Sequence, residues 1–432
     1  MSASFPLPNE QLLPAGRQLP LSQGLRARLA EQLDGLIRAA RLQARRSNPS
    51  LCADTAVELA GFLAACDHYE GGSTHQPAVE VLLAHAREEL MRRRPSLDGL
   101  GRWAGITHAF NRVALRTGAT PLDFVPDIDQ ALLKSLEARH WEEGHDLVQG
   151  LVGFGLYALG HASPVWRRRL LGLVLLHLER LAERTPDGWC WRTAARLLDD
   201  DQRRRYPNGC HFLGLAAGQA GVIGLLARAM TEDVHADNAA AMLEPAVAWL
   251  LAQRRAADAA GFHFPTLSED PYVSRPLSWR KGDFGIACAL FHAAWATGRP
   301  DWYGTAWVIA RDCARLRGIR ASIREPGLRD GSAGAALIFQ RLWQHCDNPE
   351  LASASMHWLE QSLTMRDVEF EEAAGIFVLE ATRDSQLRIP SLGLLTGLAG
   401  VGMSYLTALG NDDPDWDAPL LTSLPPASGT RI

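Results

Sequence analysis

The side chains best suited to chemistry are charged residues that stand just before glycine pairs of the form Gly-x-x-Gly. Asp146, Arg280 and the adjacent pair Arg329 and Asp330 each lie within four residues of such a motif. A carboxylate can orient or protonate a substrate, and a guanidinium group pairs with carboxylates and other anions. Asp146 is equally suited to capping the start of a helix. The chemistry open to these residue types is anion binding, ion pairing or proton transfer.

The Gly-x-x-Gly motif recurs, and each copy leads into an apolar run of helical period. Clear copies have their second glycine at positions 153, 221, 285, 334 and 400, and weaker copies centre on Gly61 and Gly105. Successive second glycines are 44 to 68 residues apart, which is room for two helices and two loops, and strand-like alternation is scarce. The sequence therefore predicts an all-α fold, an (α/α)7 toroid of seven helical hairpins in which Gly-x-x-Gly starts each inner helix.

The remaining segments divide the chain into three predicted parts. Residues 1–20 are predicted to form an irregular N-terminal arm, residues 21–410 a single toroid domain, and residues 411–432 a Pro-rich C-terminal tail. Because the inner helices of such a ring run parallel, their positive dipole ends collect on one face and favour anions, thiolates or carboxylates there. That face is the predicted functional site.

Composition excludes several classes of partner. Charged residues make up 22% of the chain and the net charge is −5, so neither a nucleic-acid partner nor an anionic membrane surface is predicted. The longest apolar run is too short for membrane insertion. Seven cysteines without a Cys-x-x-Cys pair indicate reduced thiols and a cytoplasmic location.

Histidines and cysteines outside the glycine motifs give no convincing metal site. Cys210 and His211 are adjacent, but they have no partners at ligand spacing and are predicted to be structural. Four further histidines fall on helical segments without a paired acid or cysteine visible in the sequence and receive no predicted role: His108, His145, His292 and His345.

Several segments carry a resemblance to a known family. The chain resembles, over nearly its whole length, the lanthionine synthetase C-like family, cyclases that form thioether rings by adding Cys thiols to dehydrated Ser or Thr residues of lanthipeptides. The segments that carry the resemblance are 146–153, 213–218, 278–283, 327–342 and 391–402.

The resemblance also implies what this chain lacks. The family holds a zinc ion with one Cys in a Trp-Cys-x-Gly segment and with a later Cys-His pair, and these positions correspond here to Arg280, Arg329 and Asp330. A family histidine thought to handle protons corresponds to Ala217, and Asp146 retains the family aspartate. Guanidinium groups do not coordinate zinc, and one Asp is too few ligands. No metal and no cofactor are therefore predicted at this position.

Three arrangements of Arg280, Arg329 and Asp330 remain open. They form an ion-pair cluster that fills the former metal site, or the guanidinium groups bind a peptide carboxylate or a thiolate, or the side chains point apart. Trp279 precedes the substituted position and is predicted to lie at the rim of the same site.

The resemblance implies a divergent, zinc-free protein of lanthipeptide maturation that binds a precursor peptide, or a partner modification enzyme such as a dehydratase, in its central cavity. The alternative is a zinc-independent cyclase in which Asp146 moves a proton and the arginines stabilise a thiolate or enolate. A weaker alternative is a carbohydrate-active toroid, which would need Asp146 and Asp283 to face each other across the cavity. Asp283 is otherwise predicted to bond to a loop or to the helix dipole.

Overall fold

The computed structural model of the protein describes residues 18–46, 51–92, 100–122, 125–255, 262–270, 277–381, 385–410 and 416–424. Most of the predicted N-terminal arm, residues 1–17, lies outside these ranges. The described residues contain fifteen α-helices and two short antiparallel hairpins. The predicted all-α class is confirmed.

Fourteen of the helices form two concentric layers of seven. The inner helices are α2 (Ala53–Glu70), α4 (Leu100–Thr117), α6 (Leu151–Leu159), α9 (Gln219–Thr231), α11 (Asp283–Thr297), α13 (Ser332–Cys346) and α15 (Leu398–Leu409). The outer helices are α1 (Gln23–Arg45), α3 (Gln76–Arg92), α5 (Val125–Leu136), α7 (Pro164–Leu181), α10 (Ala236–Ala252), α12 (Pro300–Ala314) and α14 (Pro349–Thr364).

Helix packing closes the layers into a ring. Each inner helix from α2 to α13 packs on the outer helix that follows it, whereas α15 packs on α1 and on α2. The seventh hairpin therefore joins the N-terminal outer helix to the C-terminal inner helix. Between α11 and α13 the contact is aromatic, with the rings of Phe284 and Phe339 4.4 Å apart at their centroids. The predicted (α/α)7 toroid is confirmed.

Glycine opens five of the inner helices for a steric reason. The first glycine of each clear motif is the N-cap residue in an extended conformation. A Cβ added to the second glycine would collide with the carbonyl oxygen of the residue six positions earlier in the preceding loop. The five pairs are Gly153 with Leu147, Gly221 with Leu215, Gly285 with Trp279, Gly334 with Leu328, and Gly400 with Leu394. The loop thus folds back directly onto the first turn of its helix, which only glycine permits.

Besides the fourteen helices of the ring, the described residues form two short hairpins and one short helix. Strands β1 (Glu183–Thr185) and β2 (Gly188–Cys190) pair with Glu183 opposite Cys190. Strands β3 (Phe377–Ala381) and β4 (Gln386–Pro390) pair with Phe377 opposite Pro390. Helix α8 (Asp200–Arg205) follows the first hairpin.

Part of the segment predicted as a C-terminal tail lies inside the protein. Residues 416–424 carry the fully buried Asp417, whose carboxylate accepts hydrogen bonds from Arg341 on α13 at 2.8 and 3.1 Å and from Thr422 at 2.8 Å. The side chain of Leu421 packs against Gly224 of α9. This segment therefore joins two inner helices, although the predicted domain boundaries themselves stay a prediction.

Among the helices of the described ranges, none has both the length and the apolar character needed to cross a bilayer.

Replacing Gly334 by Ala should destabilise the protein, because the new methyl group meets the Leu328 carbonyl in a packed loop; overpacking of this kind costs about 1–3 kcal/mol. Gly105, inside α4, has no atom within 4 Å of its added Cβ, so Gly105→Ala should stabilise by about 0.5–1 kcal/mol. Urea unfolding of the two variants measures both effects. Equal effects would contradict the steric explanation.

Candidate functional site

Hydrogen bonds link the loops that precede neighbouring inner helices. Leu147 N–H, before α6, donates to Ala216 C=O at 2.9 Å, and Ala216 N–H, before α9, donates to Arg280 C=O at 3.2 Å. Further round the ring, Arg329 N–H, before α13, donates to Leu395 C=O, before α15, at 2.7 Å. We call these linked loops the N-terminal belt. Because the belt joins the starts of successive inner helices, their positive dipole ends lie on one face.

Side chains join the belt between α11 and α13. The carboxylate of Asp330 accepts hydrogen bonds from Arg280 Nη2 at 2.9 Å, from Arg329 Nε at 3.0 Å and from Ser278 Oγ at 2.6 Å. Ser278 Oγ accepts in turn from the backbone N–H of Arg280 at 3.0 Å. The structure therefore brings together the three residues that the sequence analysis placed at one site, in the geometry of an ion-pair cluster.

The cluster carries an excess positive charge. Burial raises the pKa of Asp330, but Arg280, Ser278 and Arg329 outweigh it and hold that pKa below its usual value. One carboxylate thus faces two guanidinium groups, for a net charge of +1. Nε of Arg280 is buried without a hydrogen-bond partner among the described residues, whereas the side chain as a whole is 35% exposed. The cluster can therefore accept a further anion.

A cavity of about 1040 Å³ lies beside this cluster. Arg280 and Lys281 form part of its wall, and Asp146 forms another part. Burial, and next the charge of Arg280, lower the pKa of Lys281. Loop residues 193–212 close a further side of the cavity through Thr193, Leu197, Leu198, Asp199, Gln202 and Phe212. A volume of this size suits a peptide segment or a small ligand.

Asp146 lies at the cavity but is engaged by its own loop. Its Oδ1 accepts backbone hydrogen bonds from Val148 and Gln149, both at 2.9 Å. This is a turn within the loop and not the helix cap that the sequence suggested as an alternative, because Gly150 is the N-cap residue of α6 and receives no side-chain cap. The carboxylate holds the loop before α6 in shape while it remains part of the wall.

Trp279 lies in the core and not at the rim predicted for it. Its side chain is 4% exposed, and its indole Nε1–H donates to the Leu420 carbonyl at 2.8 Å. The reason is the alternation of direction along the loop: Arg280 points to the cavity, so its neighbour points to the protein interior. Trp279 thereby anchors the segment 416–424.

The residues at the former metal position do not fit zinc. Arg280 and Arg329 present only donor N–H groups, which leaves the Asp330 carboxylate as the single possible ligand among the three residues. Zinc needs four ligands with free lone pairs, such as thiolate, imidazole or carboxylate. Ala217, at the position of the family's histidine, lies in the cavity wall and offers a methyl group only.

Asp283 does not face Asp146 across the cavity. Its carboxylate is 1% exposed and accepts backbone hydrogen bonds from His263 at 2.6 Å and Phe264 at 3.0 Å. The structure thus gives Asp283 the loop-bonding role. It offers no support for the pair of facing carboxylates that a carbohydrate-active enzyme would need.

His145 is a cavity residue to which the sequence analysis gave no role. Its side chain is 4% exposed and lies in the cavity wall, and its Nε2 has no hydrogen-bond partner among the described residues. Burial, and then the nearby His211, lower its pKa to about 4, so the imidazole is neutral near pH 7. In the sequence, the only feature that could have identified His145 as a cavity residue is its position directly before Asp146.

Comparison with known proteins gives a family and a fold. The profile of the family described as lanthionine synthetase C-like protein matches residues 116–421. The solved structure of nisin cyclase is similar with a TM-score of 0.69 and 15% identity, covering 93% of this chain and 98% of that one.

A second solved structure is unsaturated glucuronyl hydrolase from Bacillus sp. GL1, at TM-score 0.39 and 16% identity, covering 79% of this chain and 96% of the other. A TM-score this low supports no inference about the fold or the function of this chain. No curated protein matches the sequence.

The core position of Trp279 predicts that Trp279→Phe destabilises the protein, because the Leu420 carbonyl would lose a buried donor. A buried polar group left without a partner costs about 1–3 kcal/mol. Arg280→Ala, at a side chain that is 35% exposed, should shift the urea midpoint less. An unchanged urea midpoint in Trp279→Phe would contradict the buried position of Trp279 and support the predicted position at the cavity rim.

Proposed function

Because the chain belongs to the lanthionine synthetase C-like family, we propose that it serves lanthipeptide maturation by binding a precursor peptide in its central cavity, without zinc at the Arg280, Arg329 and Asp330 cluster. The family supplies the class of substrate, a ribosomally made peptide. A dehydratase or another modification enzyme presenting such a peptide is the corresponding protein partner. The cytoplasm, where free thiols stay reduced, is the proposed location.

The observation that carries this proposal is the composition of the cluster. Two guanidinium groups and one carboxylate stand where the family holds zinc, and their net charge of +1 faces the cavity wall through Arg280. A zinc centre activates a thiol by making it a thiolate, whereas a guanidinium group binds an anion that is already formed. The substitution therefore replaces a centre for activating thiols by a centre for holding carboxylates.

The ligand group best suited to the cluster is a carboxylate of the peptide, from an acidic side chain or from the C-terminus. Arg280 keeps Nη2 on Asp330, and its side chain, 35% exposed in the cavity wall, has further N–H donors. A carboxylate can take up this remaining donor capacity while Asp330 prevents the two arginines from repelling each other. Dipoles of the inner helices that start at the belt favour the same charge.

Zinc-independent cyclisation is the second candidate, and His145 is the observation that favours it. Its imidazole is neutral near pH 7 and can accept the proton of a cysteine thiol, although burial, which lowers its pKa to about 4, makes it a weak base for this step. The sulfur then bonds to Cβ of a dehydroamino acid while the Cα=Cβ pair shifts to the enolate, which Arg280 would stabilise. Return of the proton to Cα completes the thioether. Asp146, held by two backbone N–H groups, is less suited to this transfer than His145.

An acidic, cysteine-containing peptide and its counterpart with Asn and Gln in place of Asp and Glu test the binding proposal. In fluorescence anisotropy the acidic peptide should bind more tightly, and Arg280→Gln should weaken it roughly tenfold, since charge-assisted hydrogen bonds contribute about 1.5–3 kcal/mol and this one is partly exposed. Arg169→Gln, at an exposed ion pair with Glu137 on the outer layer, is the matched control.

Equal binding of the two peptides, or equal losses in the two arginine variants, would refute the proposed carboxylate site.

A separate assay decides between binding and cyclisation. The purified protein is incubated with a dehydrated, cysteine-containing precursor, with and without chelator, and alkylatable thiol is followed. We expect the thiol content to stay constant. Loss of thiol in the wild type that His145→Phe abolishes would establish the cyclase instead.

A further inference from the structure

The hairpin β1–β2 brings together a group of metal-ligating side chains far from the glycine motifs. Glu183 and Cys190 are cross-strand partners, and a β-bridge between Thr193 and Cys210 places His211 beside them. One ligand atom from each of Glu183, Cys190 and His211 lies within 4.8 Å of the other two. Ligands of one tetrahedral zinc, each about 2.0–2.3 Å from the metal, lie about 3.3–3.8 Å apart, so binding would draw the more distant of these atoms together by up to about 1.5 Å.

The imidazole of His211 is held in one orientation. Its Nδ1 lies 2.5 Å from Glu269 Oε1, and its Nε2 lies 3.1 Å from Glu183 Oε2. The Glu269 carboxylate also accepts the His211 backbone N–H at 3.1 and 3.0 Å. A carboxylate on the far nitrogen is the common outer partner of a metal-bound histidine, because it fixes the tautomer and turns the other nitrogen to the metal.

Glu183 is also held in place by a neighbouring side chain, the guanidinium group of Arg192. Arg192 donates to both of its oxygens, from Nε at 2.6 Å and from Nη2 at 3.0 Å. The thiol of Cys190 lies 3.8 Å from the Glu183 carbonyl oxygen and is buried in the same corner. Each of the two polar ligands thus has a supporting group, and the sulfur faces the space between them.

We propose that Glu183, Cys190 and His211 bind a zinc ion through a carboxylate oxygen, the thiolate sulfur and Nε2, with the fourth position open to water. Mixed sulfur, nitrogen and oxygen donors suit zinc, which is borderline in softness. With the metal bound, zinc and Arg192 carry three positive charges, and the Cys190 thiolate, Glu183 and Glu269 carry three negative charges. The loaded cluster is therefore neutral.

This site differs from the position of the family's zinc, which Arg280, Arg329 and Asp330 occupy. It lies behind the cavity wall, because Thr193 and Phe212, which line the cavity, are next in sequence to Arg192 and His211. A metal here would tie hairpin β1–β2 to the segment that carries His211 and to the loop that carries Glu269. The side chains of Glu183 and Glu269 are 38% and 30% exposed, which gives the ion an entry path.

Metal binding by the full chain tests the proposal. The purified protein is stripped with a chelator, titrated with Zn²⁺ against a chromophoric competitor, and analysed for metal by mass spectrometry after desalting. We expect one zinc ion per chain, and a thermal midpoint that rises with zinc because the metal binds the folded state. Titration with Co²⁺ should give a thiolate-to-metal charge-transfer band in the wild type.

Variants locate the ion. Cys190→Ser and His211→Gln should abolish the charge-transfer band, and Glu269→Gln, a change at a partly exposed outer partner, should weaken zinc binding roughly 10–100-fold. Cys210→Ser is the matched control, since Cys210 is next to His211 but outside the ligand group, and Arg280→Ala should keep the full zinc content.

Circular dichroism confirms that each variant is folded. A wild-type protein that binds no zinc, or zinc bound equally by the wild type, Cys190→Ser and Glu269→Gln, would overturn the proposal and leave an ion-pair network at this corner.

Discussion

The contact between the second glycine of each motif and a carbonyl oxygen six residues earlier is the constraint on which the rest of the structure depends. Because of this contact, the loop packs directly on the first turn of the inner helix. A loop in this position can form hydrogen bonds with the next loop of the belt. Leu147, Ala216 and Arg280 make these belt contacts through backbone groups. Without the glycines, the loops would move outward, and the starts of the inner helices would no longer share one face.

The belt explains why a change of side chains could alter the chemistry without altering the ring. Three pairs of neighbouring loops, those before α6 and α9, α9 and α11, and α13 and α15, are joined by bonds between backbone groups, which are indifferent to sequence. Between α11 and α13 the link is made by Asp330 with Ser278 and Arg280. A charged cluster at this point joins the two loops by hydrogen bonds and ion pairs, and so maintains the geometry while offering a different ligand preference.

Residues from the stretch 183–212, which lies between α7 and α9, add a wall to the cavity. Hairpin β1–β2 and helix α8 interrupt the passage from α7 to α9, and side chains from this stretch face the cavity opposite Asp146. Arg192 pairs with Glu183 within this stretch, and His211 pairs with Glu269 on the loop that precedes α11. The ring provides the scaffold of the cavity, whereas this segment determines part of the shape of the space that a ligand can occupy.

The sequence by itself determined the helical class, the number of hairpins and the starts of the five clear inner helices, because glycine spacing and apolar period are local properties of the chain. The resemblance to the family also grouped Arg280, Arg329 and Asp330, whose loops the belt makes neighbours. Only the tertiary structure decided that Trp279 turns into the core, that Asp283 and Asp146 bond to nearby loops, and that residues 416–424 are buried. It alone brought His211 to Glu183 and Cys190, since these side chains are separated along the chain and their meeting depends on strand register and loop packing.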